Sequence, residues 1–186
     1  MSAAVWVSPR SAERPMAFTY GELARGALIA WGAFVVLLLI AFFVPTLMIP
    51  GALTGQYMLS TLLVMTSVII IYGGLFSFVA MLVGSPLAWL IARTLTRVRA
   101  IPVHVAIFFL LGAVIGVLAI LILGLAFPNS VNGIQWPISA LIIVPAALAV
   151  PFGWWRSARR ALRKDRGAHR PRVANTDPDA LYEDAL

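Results

Sequence analysis

The 186-residue sequence contains no cysteine. Disulfides, thiolate metal sites and thiol redox chemistry are therefore excluded. Charge is nearly as scarce. Only 11% of the residues are charged and 61% are hydrophobic, whereas soluble domains run near a quarter charged and half apolar. No Asp, Glu, Lys or Arg lies between Arg25 and Arg93, and none between Arg99 and Arg156. A water-soluble fold would have to cover its outside with polar side chains that this chain does not own.

Other absences narrow the function. Ionisable residues inside a membrane mark proton relays, coupling-ion sites and charged-substrate pathways, and the apolar stretches hold no carboxylate or base. A proton-coupled four-helix exporter would need a membrane carboxylate, and a four-helix quinone reductase would need cysteines. The two histidines lie 65 positions apart, so no His–carboxylate metal cluster is expected. No Ser–His–Asp set, P-loop or dinucleotide fingerprint is present. The expectation is a non-enzymatic protein with no catalytic residues, no metal and no cofactor.

The apolar residues are organised into four runs. They predict membrane spans at about 25–49, 57–83, 102–127 and 136–155. The first, ALIAWGAFVVLLLIAFFVPTLMIP, is roughly 36 Å long as a helix, enough to cross a hydrocarbon core of about 30 Å with some tilt. It is longer than a signal-peptide core and closes on no small-x-small cleavage pattern, so it reads as a retained signal-anchor. The second run stays apolar from Tyr57 to Ile91. Its GSP at 84–86 offers a break, with Ser85 as N-cap and Pro86 at the first helical position. The expected result is a short amphipathic helix at about 86–99, with Arg93, Thr96, Arg97 and Arg99 opposite Leu87, Leu90, Ile91, Leu95 and Val98. A single helix kinked at Pro86 is the competing reading. Trp136 and Trp154–Trp155 stand roughly 27 Å apart along a helix, so they are expected at the two membrane interfaces.

The bases fix a direction. Arg10, Arg14 and Arg25 precede span 1; Arg93, Arg97 and Arg99 connect spans 2 and 3; the other eight follow span 4. All fourteen then fall on one side, which the positive-inside rule makes cytoplasmic. The fold expected is all-α: a polytopic four-helix bundle with both termini inside and the amphipathic helix between spans 2 and 3. Thirteen of the bases are Arg, a composition that points to a high-GC bacterial genome and so to a bacterial plasma membrane.

Around the transmembrane domain (25–155) lie a cytoplasmic tail (1–24), a basic juxtamembrane helix (156–172) and an acidic tail (173–186). The basic helix is expected to run to Gly167. Arg156, Arg159, Arg160, Arg163, Lys164 and Arg166 would anchor it on anionic headgroups, at about 1 kcal/mol per base. Nucleic acid is not expected as a partner, because no aromatic platform or known module accompanies the charge. The tail VANTDPDALYEDAL, with four acids and no base, reads as disordered or as a recognition peptide.

In lipid, helices associate by close backbone approach and a few polar contacts. Span 2 shows a seam with alternating four- and three-residue steps: Ser60, Leu63, Ser67, Ile70, Gly74, Ser77, Met81 and Gly84. Span 3 has a GxxxG at Gly112 and Gly116, continued by Ala119. Span 1 has Gly26 and Ala30. Such seams serve packing within the chain, a homo-oligomer or a membrane-protein partner. Tyr72, near mid-span, is expected to pack with its hydroxyl on a neighbouring backbone, and His104 to sit at the inner interface. The functional expectation is an accessory, assembly or interaction subunit acting through transmembrane helix packing. The alternative is a transporter, channel or lipid-translocating subunit for a neutral or amphipathic solute.

Overall fold

The computed structural model describes residues 10, 16–48, 58–98, 100–126 and 136–168. These residues form helices and no strand. Helix α1 is Tyr20–Met48. The second rod is continuous: α2 (Met58–Val68), a π-helical turn (Ile69–Gly73), α3 (Gly74–Thr94) and a 3₁₀ turn (Leu95–Arg97). Helices α4 (Ile101–Ala126) and α5 (Trp136–Ala168) complete the fold. Four segments are long and apolar enough to cross a membrane: Tyr20–Leu47, Leu62–Arg97, Ile101–Ala126 and Ser139–Asp165.

The break expected at 84–86 is absent, so the segment at 86–99 is not a separate amphipathic helix. Helix α3 passes through Pro86 to Thr94, and the Ser85 hydroxyl donates to the Met81 carbonyl at 2.7 Å instead of capping a new helix. Continuing the helix forfeits one N–H, at Pro86 itself. Breaking it in an apolar stretch would strand several backbone groups in lipid.

Helix α5 is the centre of the bundle, with α1 on one side and α4 on the other, both antiparallel to it. Its small residues allow this. Gly153 and Ser157 face Gly26 and Ala30 of α1, while Ala146 and Ala147 face Gly112 of α4. At Gly112 a Cβ would overlap the Ala146 carbonyl oxygen, so these backbones meet closer than any side chain permits. The α2–α3 rod leans on α1 less intimately. Trp31 Nε1 donates to the Gly74 carbonyl at 3.1 Å, and its ring meets Phe78 edge-on at 5.6 Å.

Candidate functional site

The arginine-rich end of the bundle carries most of the described polar chemistry. It starts with the sequence TYGE at 19–22. Thr19 Oγ1 accepts from the Glu22 N–H at 3.2 Å, and Glu22 Oε2 accepts from the Thr19 N–H at 3.1 Å. This reciprocal capping box fixes where α1 begins. Arg10 then reaches both Glu22, at 2.9 Å, and Asp165 of α5, at 2.8 Å. Its side chain is 8% exposed, and the two carboxylates are 14% and 15% exposed. Ser157 adds a hydroxyl bond to the Glu22 carbonyl at 2.7 Å. The Met16 N–H donates to the Thr96 carbonyl at 3.3 Å, which ties the same segment to the end of α3.

Beneath this polar layer lies an aromatic one. Trp154 stacks on His104 at 4.9 Å and on Phe108 at 5.7 Å, and Phe18 meets its edge at 6.4 Å. His104 is 1% exposed. Its Nδ1 lies 3.1 Å from the Ala100 carbonyl; a carbonyl only accepts, so Nδ1 carries the proton. Two buried polar atoms, His104 Nε2 and Trp154 Nε1, have no hydrogen-bond partner among the described residues. His104 is thus a stacked core residue of the bundle. Trp154 likewise packs in the core of the bundle; the side chain of Trp136 lies outside the described residues.

The outer rim is basic. Glu22 and Asp165 are the only acids among the described residues, and both are held by Arg10. Arg25, Arg93, Arg97, Arg156, Arg159, Arg160 and Arg163 are exposed. Two of them sit on tryptophans: Arg93 at 5.3 Å over Trp89, and Arg159 at 4.1 Å over Trp155. Lys164 is also exposed, and the side chain of Arg166 lies outside the described residues. The basic helix does not project alone. Ser157, Ala158 and Ala161 are buried against the bundle, while the arginines occupy the opposite face.

The structure divides the seam expected in span 2. Gly74 is buried, and Ser77 and Gly84 are half-buried; a Cβ on Gly84 would meet Ile115 of α4 at 3.3 Å. Ser60, Leu63, Ser67 and Ile70 are instead exposed. The reason is the π turn. Its i→i+5 hydrogen bonding puts one extra residue into the helix, so the inward face runs Leu62, Thr66, Ile69 and then Gly73, where a Cβ would meet Leu38 of α1 at 3.1 Å, before it continues at Ser77. A four-and-three stripe read backwards from Gly74 arrives one residue late. Tyr72 follows the same rotation. It is 60% exposed rather than packed, with no hydrogen bond to its hydroxyl among the described residues. In span 3, Gly112 and Gly116 are buried against α5 and Ala119 is half-buried.

The sequence marks Arg10 only as one of the bases that set direction, because it sits in a polar tail without periodicity. The T-x-x-E at 19–22 was the available signal for the layer it joins. For Trp154 the signal was Ala147, Val150, Trp154, Ala158 and Ala161, small and apolar residues at helical steps.

No described group of three His, Cys, Asp or Glu side chains converges on a point that could hold a metal. Comparison with known proteins finds no matching protein family, no similar curated protein and no similar solved structure. Chemically, the site offers one buried ion triad, one buried aromatic stack and a rim of exposed guanidinium groups.

Proposed function

We propose that this chain is a non-enzymatic accessory or assembly subunit of the bacterial plasma membrane, with both termini cytoplasmic, that binds a partner membrane protein through the outer face of span 2. The observation that carries this reading is the contrast between the two halves of the bundle. α5 is packed backbone-to-backbone on two sides, whereas the α2–α3 rod turns Ser67 and Tyr72 outward together with Leu63 and Ile70. The Tyr72 hydroxyl gains nothing from lipid at that depth, and a neighbouring helix can satisfy it. Orientation follows from the arginines, which gather at one end. The rim attracts anionic lipid, which holds the tail of α5 at the surface.

The alternative reading, a transport or lipid-translocating subunit, draws support from the π turn at Ile69–Gly73, because such turns occur often at functional sites. The discriminating experiment is purification in mild detergent at native expression, followed by mass measurement. A co-purifying membrane protein lost on Ser67→Phe and Tyr72→Ala is the expected result. A lone monomer refutes the partner reading, and solute flux in vesicles containing only this chain would favour the alternative.

A further inference from the structure

We infer that the outer face of the last turns of α3 is a binding site for one anionic phospholipid, with its phosphate on Arg93 and Arg97 and an acyl chain along Leu90 and Ile91. This differs from the diffuse attraction of the basic tail, and it stands independently of the partner reading. A shallow, mostly open groove is lined by Leu90, Ile91, Arg93 and Thr94. Leu90 is 53% exposed, so its apolar surface faces the surroundings. The groove therefore runs from an apolar wall to a cation along one helix. A phospholipid has the same order along its length, and free phosphate does not.

Three observations make Arg93 a receptor for an external anion. First, it is positioned. Its guanidinium lies 5.3 Å over Trp89, and Trp89 stacks on Tyr20 of α1 at 5.7 Å and 14°. A guanidinium held on a ring loses less freedom when it binds phosphate and keeps its planar donor edge for a bidentate contact.

Second, it is not needed as a helix cap. The last carbonyls of a helix attract cations, and their negative end would oppose a phosphate. Here other donors occupy them. The Ile91 carbonyl accepts from the Leu95 N–H and from Thr94 Oγ1 at 2.8 Å, and the Arg93 carbonyl accepts from Thr96 Oγ1 at 3.0 Å. The Leu95 carbonyl accepts from the Val98 N–H at 2.9 Å, and the Thr96 carbonyl from the Met16 N–H. The negative end is thereby blunted. Third, the two described acids are both occupied by Arg10, so no described carboxylate competes for Arg93 or Arg97.

The test uses the full-length protein in a mild non-ionic detergent. It is titrated with phosphatidylglycerol, with phosphatidylcholine of the same acyl chains and with inorganic phosphate, and bound lipid is counted by native mass spectrometry. One phosphatidylglycerol retained per chain, in preference to phosphatidylcholine, is the expected result. Each base near an anionic group contributes about fivefold, so R93Q/R97Q should weaken retention by roughly 25-fold. L90S should weaken it while leaving the thermal transition in place. Should R93Q/R97Q disturb folding, R93K/R97K keeps the charge and must restore part of the retention. The site is refuted by equal retention of phosphatidylcholine or by retention unaffected in R93Q/R97Q. It is also refuted by displacement with inorganic phosphate, or by an equal or larger loss in the tail variant R160Q/R163Q.

Discussion

A Cβ placed on Gly153 of α5 would stand 2.5 Å from the carbonyl oxygen of Gly26 in α1. Ala30 is nearly as close, with its Cβ at 2.6 Å and its N at 2.8 Å. Backbone cannot yield as the end of a flexible side chain can. Gly153→Ala should therefore force α1 and α5 apart at a cost of about 1–3 kcal/mol, the range for overpacking a tight core. Gly32, in the same α1, meets nothing within 4 Å. Gly32→Ala should stabilise the helix by about 0.5–1 kcal/mol, because alanine loses less backbone entropy. Thermal unfolding in detergent should thus move in opposite directions for the two variants. A shift of the same sign in both would mean that the α1–α5 crossing is not as close as described.

These crossings were only partly legible in the sequence. GxxxG at Gly112 and Gly116 and the small pair Gly26 and Ala30 stand out because lipid rewards close backbone approach and little else. Four spans could be read from charge-free length alone. What could not be read is which helix sits in the middle. That depends on two small faces of one helix, Ala146–Ala147 and Gly153–Ser157, each meeting a different neighbour. The rotation at the π turn was also hidden. IIIYGG carries no residue that demands i→i+5 hydrogen bonding; the Leu38 side chain that a Cβ on Gly73 would meet and the bond of the Gly74 carbonyl to Trp31 are both tertiary.

Arg10 is the keystone of the ion layer, and its removal should be costlier than removal of the whole triad. Arg10→Gln leaves two mostly buried carboxylates without their shared cation, which costs about 3–5 kcal/mol. In R10Q/E22Q/D165N none of the triad's three charges remains to be desolvated, and most of the loss should return. The glutamine that E22Q introduces would still serve the capping box with Thr19, since that motif accepts either Glu or Gln. Thermal transitions of the wild type, the single variant and the triple variant form the check; a triple variant no more stable than Arg10→Gln contradicts the ion-layer account.

The stack of His104 on Trp154 should be worth more as a pair of rings than as a pair of polar groups. His104→Phe keeps the ring and removes a buried acceptor that lacks a described donor, a relief of about 1–3 kcal/mol against about 1 kcal/mol for the lost bond to Ala100. The variant is expected to match or exceed the wild type in thermal stability. Trp154→Ala removes the ring that three aromatics touch and should cost about 3–5 kcal/mol. If His104→Phe is instead as damaging as His104→Ala, Nε2 holds a bond essential to the fold.

The phase shift in span 2 can be mapped directly, because the absence of cysteine leaves the chain ready for single-cysteine spin labelling. With the π turn in place, labels at 62, 66 and 69 face the bundle and labels at 63, 67 and 70 face outward; beyond the turn, 73, 77, 81 and 84 face inward. One extra residue in a turn rotates everything before it by about 100°, which is why positions one apart exchange roles. Collision with oxygen, which dissolves in the hydrocarbon core, should therefore be high at 63, 67 and 70 and low at 62, 66 and 69. A regular helix predicts the reverse, with 60, 63, 67 and 70 shielded in line with Gly74. The measurement also bears on the partner. If oxygen accessibility at 67 and 70 falls in native membranes but not in vesicles of the purified chain, something in the membrane covers that face. Accessibility that stays high in both would leave the outward face against lipid and remove the main reason to assign span 2 a partner.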